Sequence, residues 1–157
     1  MTMFEPDQLA PVGEHVRAAG TTLSATGLDP GDLDCVYAYA CQLFDASDYA
    51  GAKRFYLLLV RLSPWQFDYW LALGLACQRG AEYDDALFCF GQAGLLRHDD
   101  PRPAYHAGLS HQLAGDPERA HEAFTAALKG CAERPEYAAL AAEAERQAGG
   151  ALLKASL

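Results

Sequence analysis

The chain has 157 residues, 51% of them hydrophobic, and a mean hydropathy of -0.09, which is the composition of a soluble protein with one sizeable core. The net charge of -9 and the pI near 4.8 argue against binding to nucleic acid or to anionic membrane surfaces, which both select basic patches. No apolar run is long enough to span a bilayer, and the N-terminus lacks the basic start and apolar stretch of a secretory signal. We therefore expect a cytoplasmic protein.

Residues that could support catalysis or bind a metal are poorly placed along the chain. The five cysteines are odd in number and form no C-x-x-C pair, so we expect buried thiols in a reducing compartment rather than disulfides or a zinc site. His106 and His111 are five residues apart and do not share a helical face. Neither a glycine-rich phosphate loop nor a nucleophile elbow is present. The prediction is a protein that is not an enzyme and that uses no cofactor and no metal.

The first part of the chain, residues 1–32, is predicted to be an N-terminal segment with a short helix. Leu9, Val12, Val16 and Leu23 have roughly helical spacing, although Pro11 and two glycines interrupt the pattern. A loop around "GLDPGD" is expected to follow, before the first strongly periodic stretch.

A period of 34 residues then runs through the chain without a gap, giving the units 33–66, 67–100 and 101–134. Each unit reads as a helix, a short polar turn and a second helix. The residues that align are Ala52, Ala86 and Ala120; Tyr56, Phe90 and Phe124; Ala40, Gly74 and Gly108; and Leu59, Ala93 and Ala127. The small residues at these positions let two helices approach closely. The aromatic residue four positions after the alanine of the second helix fills the space between units. The prediction is an all-α fold of three tandem tetratricopeptide repeats that form a curved solenoid.

The last residues, 135–157, are predicted to form a C-terminal capping helix and a tail. Pro135 suits the first turn of a helix. The residues that line one side of this helix are Tyr137, Leu140, Ala141, Ala144 and Ala148. We expect Gly149–Gly150 to end this helix. Such a helix would cover the apolar face that the last repeat leaves open.

In a stack of helical hairpins, the first helix of each pair lines the concave side. The positions expected to face this groove are largely apolar, and an exposed apolar stripe usually marks a partner site. The predicted groove residues are Tyr37, Cys41, Phe44, Leu71, Leu75, Tyr105 and Leu109. Two alternatives stay open from the residues alone: the register is shifted by one position, or flanking segments fold over the stripe.

The chemistry of the stripe separates two kinds of ligand. Grooves that hold acidic C-terminal tails need Lys, Arg and Asn to bind carboxylates, and here Arg102 is the single basic residue of the stripe. An extended segment with alternating apolar side chains fits better, with tyrosine hydroxyls available to its backbone.

Four segments resemble the class II type III secretion chaperones, the tetratricopeptide chaperones of hydrophobic translocator proteins. They are "GTTLSATGLDPGDLDCVYAYACQLFDASDYAGAKRFY", "LSPWQFDYWLALGLACQ", the turn "GAEYDDAL" and "DDPRPAYHAGLSHQLAGD", of which the last is the most distinctive. The resemblance covers roughly residues 18–150. Gly108–Ser110 departs from the Ala-Glu-Cys that this family often carries.

The resemblance implies a bacterial cytosolic chaperone that keeps translocators soluble before secretion. A short extended segment of the translocator would lie in the concave groove, and Tyr37 and Phe44 match aromatic groove residues of the family. It further implies a homodimer when cargo is absent, with the N-terminal residues Leu9, Val12, Val16 and Leu23 as the candidate interface. The alternative that the repeats alone support is a generic tetratricopeptide adaptor that scaffolds another protein complex.

Overall fold

The computed structural model describes residues 27–157, so the predicted N-terminal helix and the candidate dimer residues between Leu9 and Leu23 lie outside the described residues. Within the described part, seven α-helices follow one another and no strand occurs. They are α1 (Pro30–Asp45), α2 (Tyr49–Leu62), α3 (Phe67–Arg79), α4 (Tyr83–Leu96), α5 (Arg102–Leu113), α6 (Pro117–Cys131) and α7 (Ala138–Ala155). A 3-10 turn, Pro135–Tyr137, precedes α7. No described helix is both long enough and apolar enough to cross a bilayer.

Each helix packs against the next one in the chain, and α3 also contacts α5. This is the contact order of stacked helical hairpins, in which each unit touches its neighbours only. The predicted all-α fold of three helical hairpins followed by a terminal helix is confirmed. The limits of the individual repeats stay a prediction.

The turn inside each hairpin has the same backbone geometry. One residue in the left-handed region ends the first helix: Ser47 (φ 63°), Ala81 (φ 59°) and Gly115 (φ 83°). The N–H of the next residue donates to the carbonyl five positions earlier over 2.9 Å, in the pairs Asp48–Leu43, Glu82–Cys77 and Asp116–His111. This pattern of a left-handed residue and a long-range turn bond is a standard way to satisfy the last carbonyls of a helix. The carboxylates of Asp48 and Asp116 then accept from the first turn of the following helix.

The interface inside each hairpin follows the predicted alternation of small and large residues. Ala52, Ala86 and Ala120 are completely buried. The aromatic residues four positions later, Tyr56, Phe90 and Phe124, are at most 2% exposed. The aligned alanines and aromatic residues are therefore the core of the stack.

Buried side chains form two apolar clusters rather than one. The first cluster extends over α1 to α4 and includes Tyr56, Leu73 and Phe90. The second joins α6 to α7 through Phe124 and Ala148. The boundary between the two clusters lies at α5.

Two sequence predictions about helix ends are wrong. The "GLDPGD" stretch is not all loop, because α1 begins at Pro30, where Asp29 and Asp32 form a reciprocal capping box. Gly149–Gly150 does not end the terminal helix, which continues to Ala155. The buried Ala144, Ala148 and Ala151 hold this helix against the last hairpin, and that packing outweighs the roughly 1 kcal/mol cost of each internal glycine.

Candidate peptide-binding groove

The predicted groove residues come from α1, α3 and α5, the first helices of the three hairpins, which line the inner side of such a stack. Six of them are partly exposed: Tyr37, Cys41, Phe44, Leu75, Tyr105 and Leu109. Leu71 is different, because only 8% of its surface is exposed and it packs in the first apolar cluster. Leu71 therefore supports the groove wall and offers little surface to a ligand.

An aromatic cluster surrounds Tyr37 where α1, α2 and α3 meet. The Tyr37 ring lies 5.9 Å from the Tyr56 ring and 5.3 Å from the Tyr69 ring. The Tyr56 hydroxyl donates to Cys41 Sγ over 3.4 Å. Burial, reinforced by Cys41 and Asp68, raises the pKa of Tyr37 to about 12. The Tyr37 hydroxyl is therefore neutral at physiological pH and can donate a hydrogen bond to a ligand.

The aromatic cluster is continued by Phe44 and Leu75. The Phe44 ring meets the Tyr49 ring edge to face at 5.1 Å. Leu75 is partly buried against the same apolar cluster as Tyr37 and Cys41. Together these residues give the α1–α3 half of the groove a partly exposed, apolar and aromatic surface.

Tyr105 and Leu109 belong to the second apolar cluster, so the structure does not join them to Tyr37 and Phe44 in one packed group. The Tyr105 ring lies 5.8 Å from the Phe124 ring. The seven predicted residues are thus divided into five beside the first cluster and two beside the second.

Gln78 lies between the two groups, and we did not predict it as a site residue. Its Nε2 donates to the His106 carbonyl over 2.9 Å and to Ser110 Oγ over 2.8 Å, which ties α3 to α5. Gln78 is 9% exposed and Ser110 is completely buried. The sequence contains a signal for this link: Ser110 is a polar residue at the position that Ala76, an apolar residue, occupies in the preceding unit.

His106 lies on α5 beside this link and packs as an uncharged ring. Its imidazole stacks on Phe90, with ring centroids 5.6 Å apart. Burial, together with the positive charges of Arg102 and Arg79, lowers the pKa of His106 to about 4. His106 is therefore neutral at physiological pH, and it contributes no positive charge to the groove.

Arg102, the single basic residue of the predicted stripe, is already paired. Its guanidinium donates to both carboxylate oxygens of Asp100, with N–O distances of 2.9 Å and 2.7 Å, and lies 5.1 Å from the Phe67 ring centroid. Burial opposes ionisation of Asp100, but the hydrogen bonds and charge of Arg102 outweigh it and lower the pKa of this carboxyl. Because the guanidinium is engaged, it is a poor receptor for the carboxylates of an acidic tail.

The described residues offer the groove apolar side chains, aromatic faces and tyrosine hydroxyls. Between residues 27 and 157, no group of three or more His, Cys, Asp or Glu side chains is arranged to hold a metal ion. The arrangement can bury apolar anchors of an extended chain and hydrogen-bond its backbone.

Comparison with known proteins places this fold among secretion chaperones. The chain is 21% identical over 122 residues to the low calcium response locus protein H of Yersinia pseudotuberculosis, covering 78% of this chain and 73% of that protein. No protein-family model matches the chain.

Solved structures agree with this assignment. PcrH from Pseudomonas aeruginosa is 28% identical with a TM-score of 0.76, over 80% of this chain and 96% of PcrH. The translocator chaperone SycD of Yersinia enterocolitica, in complex with a peptide of the translocator YopD, has a TM-score of 0.77 at 21% identity, over 82% of this chain and 98% of SycD. The resemblance predicted from the sequence is thereby confirmed, and the chain is similar to the class II type III secretion chaperones in fold and in sequence.

Proposed function

We propose that this chain is a cytosolic type III secretion chaperone that binds an extended apolar segment of a hydrophobic translocator protein. The observation that carries the proposal is the partly exposed apolar surface on α1 and α3, made by Tyr37, Cys41, Phe44 and Leu75. Such a surface gains roughly 1.5–3 kcal/mol for each leucine-sized side chain that it buries, before ordering costs.

The relatives support this choice of ligand. PcrH is solved in complex with the chaperone binding regions of PopD and of PopB, and SycD with a peptide of the translocator YopD. The two PcrH complexes are 27% and 29% identical to this chain, so they support the choice of ligand by sequence as well as by fold. By this analogy the ligand of the groove is a translocator segment. SycD is also solved as an alternative dimer, and we infer that this chain forms a homodimer when cargo is absent.

The generic adaptor is the weaker candidate. An adaptor that binds acidic tails needs unpaired basic side chains in the groove, and Arg102 is already paired with Asp100. The proposed activity is holding a partner in solution and needs no catalytic residue.

Co-expression with a translocator candidate, a protein with long apolar helices encoded beside this chain, tests the proposal. We expect a soluble complex of fixed stoichiometry, and an insoluble candidate when it is expressed alone. A candidate that is soluble unaided, or that stays insoluble with this chain, contradicts the chaperone function and favours the adaptor.

Groove variants then test the site separately from the function. Tyr37→Glu and Phe44→Glu place a carboxylate among the apolar anchors and should weaken cargo binding by about tenfold or more, which is about 1.4 kcal/mol. Leu95→Glu on α4 is the matched control, since Leu95 is 65% exposed and lies outside the groove helices. Retained binding in both groove variants, with unchanged helicity, would show that the cargo lies elsewhere on the chain.

A further inference from the structure

The outward side of α1 is exposed although three of the four residues that form it are apolar. Cys35, Ala38, Tyr39 and Gln42 follow the spacing of a single helical face, and all four are exposed. We name this set the outer α1 face. Tyr39 is 49% exposed, and its ring touches the described chain edge to face at Phe55, 5.2 Å away.

The same positions are buried in the next hairpin. Its four equivalent residues, 34 positions later on α3, are Tyr69, Ala72, Leu73 and Ala76, and they are 7%, 9%, 2% and 1% exposed. α2, the last helix of the preceding hairpin, packs on α3, whereas no described helix precedes α1 to pack on it in the same way. On α5, the equivalent Pro103 and Ser110 are buried, His106 and Ala107 are half-buried, and α4 packs on α5. The position that α2 and α4 occupy is therefore open in front of α1 within the described residues.

The chain that precedes α1 has the length and the apolar residues to occupy this position. Residues 1–26 lie before the described part, and they contain Leu9, Val12, Val16 and Leu23 at roughly helical spacing. The two helices that cover α3 and α5 have 14 residues each. Residues 9–23 match this length, and residues 24–29 are enough for the connection, because α2 and α3 are joined by residues 63–66 alone.

We propose that residues 9–23 of the same chain cover the outer α1 face and cap the first hairpin, as α7 packs on the last. This surface is separate from the groove residues Tyr37, Cys41 and Phe44, and the proposal does not depend on the proposed function. It also gives Leu9, Val12, Val16 and Leu23 a use other than the dimer interface expected from the family resemblance.

Cys35 reports directly on this cover, because it is the exposed cysteine of the described chain and belongs to the outer α1 face. Cys77, Cys89 and Cys131 are buried and Cys41 is half-buried. The experiment measures the rate of alkylation of Cys35 by iodoacetamide in the full chain, with peptide mapping by mass spectrometry to separate the five thiols. Glutathione gives the rate of a free thiol.

The variants place a charge on the proposed covering segment. Val12→Glu and Val16→Glu should speed Cys35 alkylation by about tenfold, because a charge cannot stay buried against Tyr39 and Ala38. Ala10→Glu is the control and should leave the rate unchanged, since residue 10 falls off the stripe of Leu9, Val12 and Val16. Unreactive Cys89 in every variant shows that the hairpins remain folded.

The rate in the unaltered chain and its concentration dependence decide the outcome. We expect Cys35 to react about tenfold more slowly than glutathione, equally at high and low protein concentration. A rate equal to that of glutathione overturns the proposal whatever the variants do. Protection that disappears on dilution overturns it as well, because the cover would then come from a second copy of the chain.

Discussion

Gly74 lies so close to the ring of Phe90 that a Cβ on residue 74 would be 2.5 Å from Phe90 Cε1. The next unit repeats the relationship, with 2.6 Å between a Cβ on Gly108 and Phe124 Cε1. In both hairpins the glycine lacks the Cβ atom that would otherwise prevent the aromatic ring from packing against the first helix. The close approach of α3 to α4 depends on this contact.

Gly74→Ala should destabilise the fold by about 1–3 kcal/mol, because the added methyl group displaces a completely packed ring. Urea unfolding followed by circular dichroism measures the change. Gly94→Ala in α4 is the control, since a Cβ there meets nothing within 4 Å. The control should be stabilised by up to about 1 kcal/mol through helix propensity alone. Equal stability of Gly74→Ala and the unaltered chain would contradict the close packing of the ring.

Ala81→Gly should stabilise the chain. Ala81 has φ 59°, a left-handed conformation that costs a residue with a Cβ about 1 kcal/mol and costs glycine almost nothing. The equivalent position in the third unit is already Gly115, at φ 83°. Gly115→Ala should therefore destabilise by a similar amount, and the midpoints of urea unfolding measure both changes. A loss of stability in Ala81→Gly would show that entropy in the unfolded chain outweighs the strain.

The periodic part of the fold could be predicted from the sequence because packing repeats with the period. Ala52, Ala86 and Ala120 are completely buried in their units, so one rule describes all three hairpins. The same reasoning failed at Gly149–Gly150. A pair of glycines favours a helix end locally, but burial of Ala151 one residue later is a tertiary effect that local propensity does not contain.

The candidate groove was predictable as a stripe but not in its details. Helical spacing placed Leu71 on the stripe, yet Leu71 packs in the first apolar cluster and is only 8% exposed. The bond from Gln78 to Ser110 joins residues 32 apart in different units. Aligning the units at 34 residues compares residues at the same position of the repeat. It therefore does not reveal a contact between residues at different positions of two units.

Gln78→Leu should destabilise the chain by about 1–3 kcal/mol, because it removes the buried amide that ties α3 to α5. Gln112→Leu is a matched control from the same position of the next unit. Its Oε1 is buried and has no hydrogen-bond partner among the described residues, so its replacement should cost less than about 1 kcal/mol.

Amide hydrogen exchange locates the effect of the Gln78 substitution. Protection should fall in α5 for Gln78→Leu and stay unchanged for Gln112→Leu. Equal losses of stability in the two variants would show that the bonds of Gln78 to α5 contribute nothing beyond the packing of its side chain.

Acid should destabilise the chain through His106. Its pKa is lowered from 6.5 to about 4 in the folded chain, so the unfolded chain binds the proton more tightly. The stability that this neutral ring contributes is complete above about pH 6.5 and is lost as the pH falls toward 4. The limiting slope for one proton is about 1.4 kcal/mol per pH unit.

His106→Phe keeps a ring against Phe90 and removes the titrating group, so its stability should depend less on pH between 6.5 and about 4. Urea unfolding at several pH values across this window gives the two slopes. His15, His98, His111 and His121 are unchanged in the variant, and their contributions cancel in the difference. Asp100, whose pKa is lowered by Arg102, is also unchanged in the variant, so its contribution cancels as well. Identical slopes for the two proteins would mean that His106 is as free to take a proton in the folded chain as in the unfolded one.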